Sequence, residues 1–196
     1  MGFVAPVTLT GSRWVTLEPL TSDHLTEIVA AVDDGDAERL WFTTAPSPST
    51  AADWVAARLA DPDGFPFVIR ALDGRLVGSS SYLHIDGPNH RLEIGATWYV
   101  ESARRTGVNT EAKLLLLQHA FDTLGCVAVE FRTHFFNRTS RAAIERLGAK
   151  LDGVLRSHQL LADGSRRDTV VYSILDIEWP AVRNNLEHRL ATPRRM

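Results

Sequence analysis

Arg104-Arg105-Thr106-Gly107-Val108-Asn109-Thr110-Glu111-Ala112 joins a run that reads as a strand to one that reads as a helix. The run before it, Leu92-Glu93-Ile94-Gly95-Ala96-Thr97-Trp98-Tyr99-Val100, is rich in β-branched and aromatic residues, and Lys113 to Leu124 after it is strongly apolar. A strand, a loop with a glycine and a helix N-terminus gather unpaired backbone N–H groups around one point, where the helix dipole favours negative charge. This reads as a phosphate-binding device, in a pattern that many βα turns share without binding anything.

Upstream of the loop, Arg13 to Leu20 alternates as an opening strand, and Thr21-Ser22-Asp23 offers cap oxygens to a helix carrying Leu25, Ile28, Val29 and Val32. Leu40 to Ser49 is irregular, and Thr50 to Asp53 has capping-box spacing ahead of a second helix. Phe65 to Ala71, a turn at Asp73-Gly74, Leu76 to Ile85, a turn at Asp86 to Asn89, and the strand at Leu92 form an antiparallel meander. Beyond the loop the order is helix (Thr110 to Leu124), strand (Val127 to Thr133), helix (Arg138 to Leu147) and two strands, Leu151 to Leu161 and Asp168 to Leu175, turning at Ala162-Asp163-Gly164. Trp179-Pro180 opens a short terminal helix. The helix after the loop is apolar on two stripes and so is expected to be buried on both sides against a sheet. The reading is one α+β domain over residues 7–178, with 179–196 as its C-terminal helix and tail.

At 196 residues, 44% apolar and 23% charged, the chain fits one soluble globular domain. A net charge of -3 supplies no electrostatic reason for a nucleic-acid or membrane partner. One cysteine, Cys126, rules out an intrachain disulfide and fits a reducing compartment. Met1 to Leu9 lacks a secretory pattern and the longest aliphatic run is Leu114 to Leu117, so a cytoplasmic protein is expected. Histidines at 24, 84, 90, 119, 134, 158 and 188 form no His-x-x-x-His pair, and no metal site is predicted. No Gly-x-Ser-x-Gly occurs, which speaks against a serine hydrolase.

Meander, glycine loop, buried helix, strand, Asn-x-x-Ser helix and closing hairpin together resemble the GNAT N-acetyltransferase superfamily, in particular its RimJ/RimL-like branch. The likeness rests on Gly107-Val108-Asn109-Thr110-Glu111-Ala112, on Asn137 to Ala149, and on Arg167-Asp168-Thr169-Val170-Val171-Tyr172-Ser173. The superfamily loop pattern, Gln/Arg-x-x-Gly-x-Gly/Ala, is met at Arg104 and Gly107 and departs at Asn109, a departure the branch tolerates. The resemblance implies a mixed, mostly antiparallel sheet of six or seven strands, flanked by helices and splayed at its centre, with acetyl-CoA in the gap. Tyr99, Val100 and the loop Arg104, Arg105, Thr106, Gly107, Val108, Asn109 and Thr110 are the implied cofactor contacts. Gly107 is expected to admit the backbone to the pyrophosphate, and Glu111 to point away from it. Asn137 and Ser140 are implied to lie along the pantetheine arm and near the sulfur, while a simple helix cap accounts for them equally.

Acetyl transfer to an amine needs a neutral amine, something to polarise the thioester carbonyl, and a proton for the departing thiolate. The tyrosine that many members use as acid is replaced here by Ile144, which leaves Ser140 as the nearest substitute. Glu93 is the only carboxylate within its strand and is the candidate base, against a purely structural role. Trp41, Tyr82, His84 and Trp98 are candidates for the acceptor cleft. The expected function is an acetyl-CoA-dependent N-acetyltransferase acting on a protein N-terminus or a small-molecule amine, with a homodimer left open. The alternatives are another donor such as succinyl-CoA, which an arginine such as Arg132 or Arg156 at the acyl end would support, or a non-catalytic acyl-CoA-binding module.

Overall fold

Val15 and Leu17 turn inward from a strand whose alternate residues face outward, and this period-two pattern recurs along the chain. In the computed structural model, which describes residues 2–33, 45–161 and 163–192, these patterns become eight strands and five helices. They are β1 Leu9–Thr10, β2 Val15–Pro19, α1 Leu25–Val32, α2 Ala51–Leu59, β3 Phe65–Ala71, β4 Leu76–Asp86, β5 Arg91–Tyr99, α3 Val108–Gln118, β6 Ala128–His134, α4 Arg138–Leu147, β7 Lys150–Leu160, β8 Arg166–Leu175 and α5 Trp179–Ala191. One sheet holds all the strands in the order β1-β2-β3-β4-β5-β6-β8-β7. Two-residue β1, too short to carry a periodic signal, makes eight strands where six or seven are expected. The last helix, expected to be short, runs thirteen residues.

Every neighbouring pair is antiparallel except β5 and β6, and that exception makes the architecture functional. They pair only through Arg91–Ala128, Leu92–Val129 and Glu93–Glu130. Past those residues β5 continues to Tyr99 and β6 to His134 without pairing, so the sheet splits into a V. A bulge turns β5 at the split: its register against β4 shifts between Ser79 and Ser81, and Ala96 opposite takes the left-handed φ of 46°.

Cross-strand partners share a face, which sorts the residues. One face carries Phe67, Tyr82, Leu92, Ile94, Val129, Phe131 and Tyr172 and is covered by α3 and α4: the Tyr82 hydroxyl donates to the Leu116 carbonyl, and Tyr172 meets Glu145 of α4. α3 is apolar on most sides, as expected, and is continued by a π turn at His119–Thr123. α5 packs on it, with Trp179 stacked on Phe121 and its Nε1 donating to Asp122 at 2.8 Å. The other face carries Val68, Ser79, Trp98, Glu93, Glu130 and Arg132; Trp54 of α2 packs edge-on against Trp98 there. No described helix is long and apolar enough to cross a membrane.

Candidate active site

The loop from Val100 to Gly107 begins where the V opens. Val100 N–H donates to the Val77 carbonyl at 3.0 Å, so the antiparallel alternation turns the peptide groups of Tyr99 to the strand's other edge, toward the gap. A 3-10 turn at Glu101–Ala103 follows, and Arg105 takes a left-handed φ of 62° to bring the chain to Gly107, the cap residue of α3. The Thr106 hydroxyl donates to the Ala103 carbonyl and accepts from the Val108 amide at 3.2 Å, and Glu111 makes the first helical bond, to Gly107. The amides of Thr106, Gly107, Asn109 and Thr110 have no acceptor among the described residues. Four donors at a helix N-terminus form an anion cradle. Val108, expected to contribute its amide, spends it on Thr106. Arg104 pairs with Glu101 at 2.5 Å on the exposed rim.

Gly107 is glycine for a reason the sequence concealed. Its φ of −75° suits any residue, but a Cβ would collide with the indole of Trp14, which lies on the α3 N-terminus. Trp14 is carried there by the β1–β2 turn, and Glu111 holds that turn. Its buried carboxylate accepts four backbone amides: Ser12 and Arg13 on Oε1, both at 3.1 Å, and Trp14 and Val15 on Oε2, at 2.6 and 2.9 Å. Glu111 thus points away from the cradle, as expected.

On the opposite face, at the base of the V, Glu93 is buried and held between an imidazole and a guanidinium. His84 Nδ1 lies 2.9 Å from its Oε2, and Arg132 Nε lies 3.5 Å away. Arg132 also binds Glu130 at 2.8 Å, which in turn binds Arg91 at 2.6 Å. The hydrogen bond to Glu93 raises the His84 imidazole above its ordinary value against the opposing effect of burial. A bulge at His84, with φ 47°, aims this largely exposed ring at the carboxylate. A buried carboxylate orienting an exposed imidazole is a proton-accepting arrangement.

α4 borders the gap from the first face. Asn137 caps it, accepting from the Ser140 amide at 3.0 Å, so the cap reading holds. Ser140 stands one turn before buried Ile144 on the same side of the helix. Tyr82 is a core residue, fully buried with its hydroxyl on Leu116 and 3.1 Å from His119, which takes it out of any acceptor cleft. Trp98 lies on the Glu93 face, and its buried indole N–H has no partner among the described residues. Trp41 lies outside the described residues. Among the described residues no His, Cys, Asp or Glu cluster could hold a metal ion.

Lys113, one turn into α3, went unnoticed in the sequence because a helical lysine normally reads as solvated surface. It is buried, and its Nζ donates to Ser80 Oγ at 2.8 Å and Thr97 Oγ1 at 2.7 Å with no carboxylate partner among the described residues. Thr97 is exposed although β5 is a central strand, because β6 has parted from it. Burial pushes the Lys113 ammonium down to about 7 from an ordinary 10.5. Above that depressed value the unfolded chain binds the extra proton, so this lysine makes stability rise with pH until the unfolded lysine also titrates. Compared with Lys113→Met, the parent should therefore gain on the order of a few kcal/mol between pH 7 and pH 10. Urea unfolding of both at several pH values checks this; parallel curves would mean that the lysine stays charged when folded.

Residues 15–150 match the family model described as acetyltransferase (GNAT) domain. No protein of curated function matches the chain in sequence. Among solved structures, a GCN5-related N-acetyltransferase from Brucella melitensis is 31% identical, superposes with a TM-score of 0.88, and is matched over 96% of this chain and 87% of that one. Mycobacterium smegmatis RimJ, solved in complex with CoA-disulfide, has the same fold at 22% identity and a TM-score of 0.77, over 94% of this chain and 95% of that one. The microcin C7 self-immunity acetyltransferase MccE, solved in complex with acetyl-CoA and AMP, has it at 20% identity and a TM-score of 0.70, over 85% and 98%.

Proposed function

This chain belongs to the acetyltransferase (GNAT) domain family and is an acyltransferase, and from that premise we propose that it moves an acetyl group from acetyl-CoA to a primary amine by direct attack in a ternary complex. The observation that carries the reading is the V between β5 and β6, which opens beside the unpaired amides of the α3 N-terminus. Acetyl-CoA would supply the activated acyl group. The amides of Thr106, Gly107, Asn109 and Thr110 are the groups assigned to its pyrophosphate, with Arg104 and Arg105 adding charge at the rim. Asn137 borders its pantetheine arm, and the Tyr99 N–H polarises the carbonyl. From the other face the Glu93–His84 pair removes the proton of the amine, and Ser140 returns one to the thiolate. CoA and acetyl-CoA in the RimJ and MccE structures support the donor class. Arg132 and Arg156, the arginines named for a succinyl donor, are bound to Glu130 and Asp168. The buried free thiol of Cys126, which burial pushes up to about 11, fits a reducing cytoplasm.

Calorimetry should detect CoA at micromolar affinity, and thiol release across a panel of amines should reveal turnover. Gly107→Val should weaken CoA binding at least about tenfold, because the new side chain must displace Trp14 or the cradle. Adding Trp14→Ala to that variant should restore part of the loss if the collision is its cause. No heat with CoA on the unmodified protein would remove the donor assignment.

A further inference from the structure

One arginine on the Glu93 face has no acid partner among the described residues. Alternation along β8 puts Arg167, Thr169, Val171 and Ser173 on a single face. Their β6 partners extend that face: Thr169 opposes His134, Val171 opposes Arg132, and Ser173 opposes Glu130, which opposes Glu93 across the base of the V. Arg167 therefore shares its surface with the proposed base, further along β6, in the direction in which the gap widens.

The other arginines here are neutralised. Arg91 binds Glu130, Arg132 binds Glu130 and Glu93, and Arg156 binds Asp168. Arg167 is half-buried, and among the described residues its one hydrogen bond is from Nε to Thr169 Oγ1, at 3.1 Å. His158 Nδ1 meets the same hydroxyl at 3.1 Å and so helps to fix it. Both terminal amino groups of the guanidinium lack an acceptor among the described residues, and no carboxylate lies within ion-pair distance. Burial disfavours its charged form, and the countering field comes from Glu93, which is within electrostatic reach but not in contact. A partly desolvated guanidinium held through one nitrogen, with its two others unpaired among the described residues, is set to take a planar anion in bidentate fashion.

We propose that the acceptor amine carries a carboxylate and that Arg167 is the residue that binds it. The inference rests on the acetyltransferase reading and narrows its acceptor from primary amines in general to amino-carboxylates. The anion is assigned to the acceptor rather than to the acyl donor because of the face. Arg167 stands with Glu93 and His84, whereas the amide cradle and α4 belong to the α3-covered side. A free amino acid and a peptide beginning with an acidic residue offer the same chemistry.

The test measures acceptor binding and turnover separately. Binding of L-phenylalanine, L-phenylalaninamide, and peptides beginning Asp-Ala or Asn-Ala is measured by calorimetry on the full chain saturated with CoA. Acetylation of the same four is followed with acetyl-CoA and with succinyl-CoA. One carboxylate acceptor, either the free amino acid or the Asp peptide, should be preferred over its neutral counterpart at least about tenfold, chiefly in Kd and KM. Arg167→Gln should reduce that ratio toward one, and Arg167→Lys should recover part of it, with the heat of CoA binding reporting that each variant is folded. Carboxylates bound selectively through Arg167 without any acetylation would sink acetyl transfer and leave this inference standing. Acetylation without carboxylate preference, or a preference indifferent to Arg167→Gln, overturns the inference and leaves the acetyltransferase. An Arg167-dependent preference for succinyl-CoA overturns it as well, since the anion would then belong to the donor.

Discussion

Glu93→Gln is expected to lower kcat/KM by about 10²-fold or more at neutral pH, with the affinity for CoA close to that of the parent. Glu93 fixes Nδ1 of the largely exposed His84, and Nε2 is left to receive a proton. Because the carboxylate raises the imidazole's affinity for protons, the ring becomes a competent base only as pH rises through that elevated value. Removing the carboxylate moves this limb of the pH–rate profile down toward the ordinary 6.5 and weakens the base at the same time. The distance between variant and parent should therefore change with pH. Measured with one acceptor whose own amine titrates well above this range, a constant factor at every pH would make Glu93 a structural or acceptor-binding residue. Ser140→Ala provides the complementary case: a comparable fall in turnover without movement of the limb, whereas near-normal turnover would leave Ser140 as a residue of the first helical turn only.

What was legible in the sequence was whatever depends on neighbours in the chain. The bounds of β3 and α4, the turn at Asp73-Gly74, and a helix apolar on most of its circumference all follow from local periodicity and turn chemistry. The V was expected only through resemblance, since no periodicity says that two parallel strands stop pairing after three residues. The loop was found by its glycine, yet the collision that demands glycine comes from Trp14, more than ninety residues earlier. Tyr82 had the chemistry of an acceptor contact, and only its register opposite Ile94 puts it on the α3 face. Lys113 and Arg167 read as ordinary surface charges for the same reason. Whether a charge is solvated or stranded depends on strands brought in from elsewhere, which here are β4 and β5 for Lys113 and β6 for Arg167.

Glu111 shows how far such a distant contact can reach, and its removal should produce the largest loss of stability. Its carboxylate receives four N–H groups of the β1–β2 turn, two on each oxygen, and it comes so close that a Cβ at Gly11 would collide with it. Hydrogen bonds to a carboxylate acceptor are stronger than neutral ones, and four backbone donors lose theirs together, that of buried Val15 among them, although Ser12, Arg13 and Trp14 lie in an exposed part of the turn. Glu111→Ala should therefore cost roughly 4 kcal/mol or more, at the upper end of single-substitution effects. Glu111→Gln should be little better. Its amide oxygen accepts two of the donors, but its NH₂ then faces the other two, a donor–donor contact that conserved shape does not relieve. Urea midpoints at unchanged m-value measure the loss, and a glutamine variant within about 0.5 kcal/mol of the parent would show that the turn is held by β1–β2 pairing alone. The consequence extends to the site. The turn that Glu111 fixes is the one that lays Trp14 over Gly107, so any Glu111 variant stable enough to purify should also bind CoA less tightly, although Glu111 faces away from the cradle.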